Sequence, residues 1–392
     1  MLPLEIYIHI PFCVKKCAYC DFLSAPSTGE ERERYVELLC RELESVPEKV
    51  RAYEVVSVFF GGGTPSLLTG EQVCRIMEIL RRKFVLGADA EITLEMNPGT
   101  VSREKLEAYR QAGVSRLSIG LQSVHDEELQ MLGRIHTYGE FLDSYRMARE
   151  AGFANINVDL ISAIPGQTVE SWAETLRTIV ELEPEHISAY SLIIEPGTPF
   201  YEVYGEDAKG EGAAKALPDE DAERQMYRDT KKLLREAGYE RYEISNYARP
   251  GYACWHNLGY WNRTAYLGFG IGAASLVPGE LLERQTGTGG MARYTNPDFV
   301  QEYRRSFAEK FRGEVMEREE EMEEFMFLGL RIMEGVSREE FQRYFQVEME
   351  EIYGKQMEKL EREGLLESGG DRIFLTERGI DVSNAVFVEF LF

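Results

Sequence analysis

The run Glu5-Ile6-Tyr7-Ile8-His9-Ile10-Pro11-Phe12-Cys13-Val14-Lys15-Lys16-Cys17-Ala18-Tyr19-Cys20 joins a β-like hexapeptide to three cysteines at the spacing C-x3-C-x2-C. Three thiolates so placed can hold three irons of a 4Fe-4S cluster and leave the fourth iron open to a further ligand. The competing reading is a structural zinc site, which would need a fourth ligand from His9, Asp21 or a distant residue to close a tetrahedron. Zinc knuckles also favour a second cysteine pair downstream, and none follows here.

Outward from that run, strand-like segments alternate with amphipathic helical patterns. Strands are expected at Glu5 to Ile10, Val55 to Phe60, Ala90 to Glu95, Ser115 to Leu121, Asn155 to Ile161 and His186 to Leu192. Helices are expected between them, at Glu30 to Ser45, Gly70 to Phe84, Ser102 to Ala112, Tyr138 to Ala151 and Val169 to Leu182. Repeated βα units build a parallel sheet covered by helices, and six of them imply an α/β fold of the partial (β/α)6 barrel kind. Function then belongs on the loops after each strand, where the cysteines lie.

Beyond Leu192 the βα rhythm is expected to stop. Gly205 to Glu220 (GEDAKGEGAAKALPDE) is rich in Gly, Ala and acidic residues and reads as a mobile insertion or lid. A helix at Asp221 to Ala237, an aromatic and Gly-rich stretch at Tyr239 to Ala273 and a hairpin with loop at Gly279 to Thr295 follow. The charged run Glu314 to Glu324 opens a last segment with helices at Glu323 to Glu334, Ser337 to Phe345 and Ile352 to Glu363, and a hairpin at Leu365 to Leu375 turning at Gly369-Gly370. Three units are therefore expected: a barrel at 1–204, a lid, aromatic segment and connecting region at 205–313, and a C-terminal helical, winged-helix-like domain at 314–392.

Charge narrows the partners. The formal net charge is −24, from 44 basic and 68 acidic residues, which works against binding nucleic acid or an anionic membrane surface. A regulator that uses the winged-helix-like tail on nucleic acid is disfavoured on the same ground. Cys40 and Cys74 fall in helical patterns and Cys254 in the aromatic stretch, so no disulfide framework is evident and a reducing cytoplasm fits. The chain opens Met1-Leu2-Pro3 without a basic leader, and no apolar run reaches a membrane span, so neither export nor an integral membrane protein is expected.

Other motifs fall on the same predicted face. Gly61-Gly62-Gly63-Thr64-Pro65 follows the second strand, as a tight turn or a ligand cradle. Glu95 ends the third strand, Gln122 the fourth, and Asp159 lies near the end of the fifth. Burying an unpaired carboxylate costs several kcal/mol, so two at strand ends imply ligands or cationic partners. Taken in order, the run Tyr7 to Cys20, GGGTP, LEMNP (Leu94 to Pro98), LSIGLQS (Leu117 to Ser123), GRIH (Gly133 to His136) and NVDLISAIPGQT (Asn157 to Thr168) resembles the radical S-adenosylmethionine (SAM) family of oxygen-independent coproporphyrinogen III oxidase-like proteins. The resemblance spans nearly the whole chain. It implies a radical SAM barrel in which Cys13, Cys17 and Cys20 bind the cluster, while Tyr7, Tyr19, Gly62, Gly63, Thr64, Glu95, Gln122, Arg134, Asp159 and Ile193 line the SAM pocket. Arg134 would serve as a fixed cation for the SAM carboxylate.

Two features separate the branches of that family. The decarboxylating oxidase carries a further cysteine two residues past the third ligand, where this chain has Phe22. The haem-chaperone branch lacks that cysteine and carries H-N-x-x-Y-W, which stands here as His256-Asn257-Leu258-Gly259-Tyr260-Trp261. The resemblance thus implies a protein that binds haem and delivers it to haem-accepting proteins, with SAM cleavage but without coproporphyrinogen turnover. Its membrane association would be peripheral contact with membrane haem proteins. His256 is the expected haem ligand, with Asn257, Tyr260 and Trp261 around it; the alternative is an aromatic packing cluster with a hydrogen-bonded histidine. Cys254 reads as a buried, inert thiol.

Overall fold

The computed structural model describes residues 1–206, 208, 213–282, 290–307, 311 and 314–392; parts of the expected lid (205–220) and of the hairpin-and-loop stretch (279–295) lie outside them. The first strands are β1 (Leu2–Ile10), β2 (Phe12–Cys13), β3 (Ala25–Pro26), β4 (Tyr53–Gly62), β5 (Val85–Met96), β6 (Arg116–Gln122), β7 (Ile156–Ser162) and β8 (His186–Ser191). Strands β1, β4, β5, β6, β7 and β8 lie side by side in that order and in parallel, as the six expected units require. Alternation in β1 sets the layering: Ile6, Ile8 and Ile10 are fully buried in the core shared with the helices, while Glu5, Tyr7 and His9 point the other way, into the barrel.

The covering helices are α1 (Gly29–Glu44), α2 (Gly70–Lys83), α3 (Arg103–Ala112), α4 (Asp126–Met131), α5 (Tyr138–Glu150) and α6 (Val169–Val180). Four of them begin at capping boxes, Thr28 with Glu31, Thr69 with Gln72, Thr137 with Glu140 and Thr168 with Ser171. Each box satisfies backbone donors that the first helical turn leaves unpaired, which explains why the helices start where they do.

The sheet continues past residue 204. After α7 (Pro199–Tyr204) and α8 (Glu220–Glu236), β9 (Glu240–Arg241) and β10 (Asn246–Ala248) extend it antiparallel beyond β8. The chain then forms α9 (Trp255–Trp261) and crosses to the opposite edge, where β11 (Tyr266–Phe269) pairs in parallel with β1. Strands β12 (Ala274–Pro278), β13 (Met291–Thr295) and β14 (Glu314–Val315) follow antiparallel, giving a sheet of twelve strands among the described residues. The βα rhythm thus resumes once after Leu192, contrary to the sequence expectation. A four-residue strand such as β11 is too short to display a period.

Helix α10 (Val300–Ser306) leads to the C-terminal unit, built from α11 (Arg318–Gly329), α12 (Arg338–Phe345), α13 (Met349–Arg362) and a three-stranded sheet of β15 (Val336–Ser337), β17 (Arg372–Leu375) and β16 (Leu366–Gly369). It has its own core around Met326, Phe341, Tyr353 and Ile373. The hairpin turns through Gly370, whose φ of 60° favours glycine. Helix α11 begins before the expected Glu323: Glu319, Glu320 and Glu321 occupy its first turn, where the helix dipole favours negative charge. The acidic run is not wholly solvated either, since Arg263 meets Glu321 at 3.1 Å and Glu324 at 3.4 Å.

Besides the pairing of β10 with β8 and of β11 with β1, a buried carboxylate ties the 205–313 segment to the barrel. Glu42 of α1 accepts hydrogen bonds from Gly270 N (2.9 Å), Asn296 Nδ2 (2.8 Å) and Tyr303 OH (2.5 Å). Glu42→Ala would leave those donors buried and unpaired, at a cost of about 3 kcal/mol or more. We expect a clear drop in the urea midpoint read by tryptophan fluorescence, with Glu42→Gln less affected; an unchanged midpoint for the alanine variant would disprove this role.

Candidate functional site

The three motif cysteines are half-buried and line one cavity of ≈ 890 Å³ at the carboxyl-terminal ends of the strands. Their loop is fixed at several points. Gly63 N donates to Ile10 O (2.9 Å), Thr64 N to Phe12 O (2.7 Å), Ala18 N to Leu132 O (3.0 Å) and Phe200 N to Ala18 O (3.0 Å). A Cβ at Gly63 would stand 2.6 Å from Phe12 O, so the glycine turn serves the close approach of two chain segments. At Gly62 (φ 107°) a Cβ would meet the His9 ring at 2.5 Å. That ring contacts Leu23 O through Nε2 (2.9 Å) and Tyr7 OH through Nδ1 (3.0 Å), tying the barrel wall to the far end of the cysteine loop.

Two polar side chains reach the sulfurs. Thr64 Oγ1 lies 3.4 Å from Cys13 Sγ, and Arg134 Nη1 lies 3.7 Å from Cys17 Sγ. Among the described residues no three His, Cys, Asp or Glu side chains converge on a single metal ion. The three thiols on one loop at one cavity fit a cluster in which each thiolate would take a different iron.

The remaining SAM candidates surround the same cavity: Tyr7, Tyr19, Gly62, Gly63, Thr64, Glu95, Gln122, Arg134, Asp159 and Ile193 all line it. Gln122 adopts φ 81° where the pairing of β6 with β7 slips by a residue, a bulge that re-aims the strand end. Glu95 accepts from Gly62 N at 3.1 Å; burial first, then the nearby Asp159 carboxylate, push its pKa up to about 8. Asp159 is held by Ser118 Oγ (3.1 Å) and Asn157 Nδ2 (2.7 Å), and burial raises its pKa as well. A carboxyl whose ionisation is opposed by burial and by a neighbouring carboxylate makes the wall receptive to a ligand cation. Asn97, in the LEMNP motif, was not among the expected site residues, yet it links them. Its Nδ2 donates to Thr64 Oγ1 (2.8 Å) and its Oδ1 accepts from Arg134 Nη2 (2.7 Å). Its place two residues past a strand-end glutamate is the available signal.

The H-N-x-x-Y-W motif does not form the open haem face expected from the sequence. It is helix α9, which closes the floor of the barrel. His256 is 2% exposed, its Nδ1 is 2.8 Å from Ser57 Oγ, and its ring lies 5.0 Å from Phe59 and 4.8 Å from Tyr260. Burial lowers its pKa to about 3, and burial raises that of Glu5, 3.8 Å away, to about 9. Their contact is therefore between a neutral imidazole and a protonated carboxyl rather than an ion pair. Ser57 is the group on the imidazole, not Asn257, which is half-buried on the same helix. Trp261 lies under the Arg331 guanidinium at 4.4 Å, and of the four motif residues only Tyr260 lines the cavity. The packing-cluster alternative describes this conformation. Cys254 is fully buried, 3.4 Å from Glu91 Oε1, and burial pushes its thiol pKa up, as expected of an inert cysteine.

Comparison with known proteins agrees with this geometry. Residues 7–179 match the model of the radical SAM superfamily, and residues 316–382 match the HemN C-terminal domain. The chain is 35% identical to a "Heme chaperone HemW" of Lactococcus lactis over 99% of its own length and 97% of that protein's. It is 37% identical to the protein of that name in Escherichia coli, over 99% and 98% of the two chains. A mouse mitochondrial "Radical S-adenosyl methionine domain-containing protein 1" is 36% identical over 92% of this chain and 81% of its own. Among solved structures, coproporphyrinogen III oxidase (HemN) from Escherichia coli superposes with a TM-score of 0.81 at 24% identity, over 99% of this chain and 90% of that one, which shows the shared fold. The chain belongs to the radical SAM family of coproporphyrinogen III oxidase-like proteins, in its HemW-type branch.

Proposed function

We propose that this protein is a haem chaperone of the HemW type, which binds haem and delivers it to haem-dependent proteins in the cytoplasm. The observation that carries the reading is Phe22, which stands 66% exposed at the cavity mouth where the decarboxylating oxidase would place a further cysteine. The HemW relatives named above support it. Cys13, Cys17 and Cys20 would hold a 4Fe-4S cluster, which when bound supplies the electron for SAM cleavage. Arg134 and Asn97 brace the cavity wall beside Cys17, Glu95 offers a carboxylate to the ligand ammonium, and the half-buried rings of Tyr7 and Tyr19 would help keep water from the reacting atoms. No described helix is long and apolar enough to cross a membrane, so any contact with membrane haem proteins would be peripheral.

Serine replacement of Cys13, Cys17 or Cys20 should abolish the broad iron-sulfur absorption after anaerobic reconstitution and stop SAM cleavage, whereas Cys40→Ser and Cys74→Ser should keep both. A motif variant that retains its cluster would refute the ligand assignment. Glu95→Gln should keep the cluster but weaken SAM binding by about 2 kcal/mol, roughly thirtyfold in Kd, because a charge-assisted contact becomes a neutral one. Calorimetric titration of the reconstituted protein tests this, and equal affinity would take Glu95 out of the SAM site. Finally, the reconstituted protein should bind haem yet show no conversion of coproporphyrinogen III to protoporphyrinogen IX; sustained turnover would replace the chaperone reading by the oxidase.

A further inference from the structure

Asp159, in the cavity wall, ends a chain of buried polar side chains that crosses three strands. The register builds it: Ser118 of β6 stands beside Asn157 of β7, Asn157 beside His186 of β8, and Asp159 beside Ser188. Neighbours in register project from the same face of a sheet, so these five side chains meet on the inner face of the barrel. Ser118, Asn157, His186 and Ser188 are all buried. Polar groups withdrawn from water in this way are tolerated when each is bonded, and here the bonds form one connected set.

The direction of every bond follows from the carboxylate. Asn157 Nδ2 lies 2.7 Å from Asp159 Oδ1, and Ser118 Oγ lies 3.1 Å from Asp159 Oδ2. A carboxylate only accepts, so the Asn157 amide turns its NH2 toward it, and the same NH2 reaches Ser118 Oγ at 2.7 Å. The Asn157 carbonyl therefore faces the other way, where it accepts from Ser188 Oγ (3.1 Å) and lies 2.6 Å from His186 Nδ1. An acceptor there requires the imidazole proton on Nδ1, which leaves Nε2 to accept from Tyr242 OH at 2.8 Å. Burial, with the Arg116 charge second, lowers the His186 pKa well below its ordinary value, so the ring is neutral, as one donor and one acceptor nitrogen demand. Tyr242, which directly follows β9, thus donates to His186, His186 to Asn157 and Asn157 to Asp159, each bond polarising the next. With the proton on Nε2 instead, the amide would turn over and point its carbonyl at the carboxylate.

We infer that Tyr242, His186 and Asn157 are positioning residues for Asp159: by fixing the imidazole tautomer, and through it the orientation of the amide, they hold Asp159 as a carboxylate that only accepts from the ligand in the cavity. The assignment rests on the reading of that cavity as a SAM site. Asp159 and Ser118 line the cavity, whereas Asn157, His186 and Tyr242 do not, so these three act through Asp159. The carboxylate needs them because burial drives its pKa upward, and the hydrogen bonds from Asn157, Ser188 and Ser118 are the terms that oppose burial. Without the amide N–H, the carboxyl gains a proton and offers an O–H where the ligand's own donors require an acceptor.

The test uses the full-length protein and two readouts. In the metal-free chain, nitrogen-15 NMR of the histidines should place the His186 proton on Nδ1, the signal being identified by its loss in His186→Asn; a proton on Nε2 overturns the proposal. In the anaerobically reconstituted protein, SAM affinity is read by calorimetric titration beside the cluster absorption and the thermal midpoint. Asn157→Leu, which keeps the side chain's shape and removes its donor, should weaken SAM binding by about tenfold, and His186→Phe by about fivefold, with the cluster absorption intact. His186→Asn returns an N–H close to the place of Nδ1 and should bind within about twofold of the parent. Tyr242→Phe deletes a single hydroxyl, is the variant least able to disturb folding, and should weaken SAM by about threefold. A purely structural role gives another pattern, a lowered midpoint with unchanged SAM affinity and no rescue by asparagine, and that result overturns the proposal. If Glu95→Gln weakens SAM binding while Asn157→Leu and Tyr242→Phe bind it as the parent does, the positioning role falls and the SAM site stands. A parent with an intact cluster that binds no SAM overturns both.

Discussion

A charged or polar side chain withdrawn from water must find partners, and the interior of this half-barrel is built from such side chains. The strand register aligns Glu5 with Ser57 and Ser57 with Glu91 at the floor, then Thr93 with Arg116 above them, and Glu95 with Ser118 near the cavity. Arg116, only 2% exposed, lies within the electrostatic reach of Glu91 and Asp159. The floor layer can be closed because α9 approaches it without a side chain at Gly259, where a Cβ would come 2.0 Å from Glu5 Oε1. The H-N-x-x-Y-W helix is thus part of the price of a polar interior. It supplies His256 to Ser57 and a backbone N–H, that of Trp255, to Glu91.

Above that floor, the cysteine loop is held by residues other than its cysteines. Gly62 and Gly63 make room for His9 and Phe12, His9 reaches Leu23 O, and Asn97 links Thr64 with Arg134. The position of the thiols is therefore set by strand ends β1, β4, β5 and β6 together. A loop of this length placed by one strand alone would sample many arrangements, and the several fixed points remove that freedom.

The six parallel strands and their helices were legible in the sequence because each is long enough to show its alternation or its helical period, and because Thr28, Thr69, Thr137 and Thr168 mark helix starts. The strands β9 to β12, two to five residues each, carry no readable period and fall in the expected aromatic and connecting stretch, while β13 falls in the expected hairpin and β14 at the opening of the expected C-terminal unit. At the site, residues named by motif came together, since their motifs end strands that share one face. The burial of His256 was not legible: an aromatic histidine-containing run reads alike whether it faces a porphyrin or packs under a sheet, and only the register of Glu5 and Ser57 decides. Asn97, unlike Gln122, stands one residue past the end of its strand, where no alternation assigns it to the active face.

The pairing of β1 with β11 sets a limit on how this protein can be made. Glu5 faces Tyr266 and Ile8 faces Phe269, so one edge of the first strand has no partner until most of the chain exists. Contacts so distant in sequence form late, because a long loop must be closed before they repay it. Until then the half-barrel built from β1 to β8 lacks its α9 floor and the strand that covers β1, and its polar interior stays wet. The cysteine loop is attached to that same early strand. During synthesis the thiols are consequently present well before the pocket around them is shut.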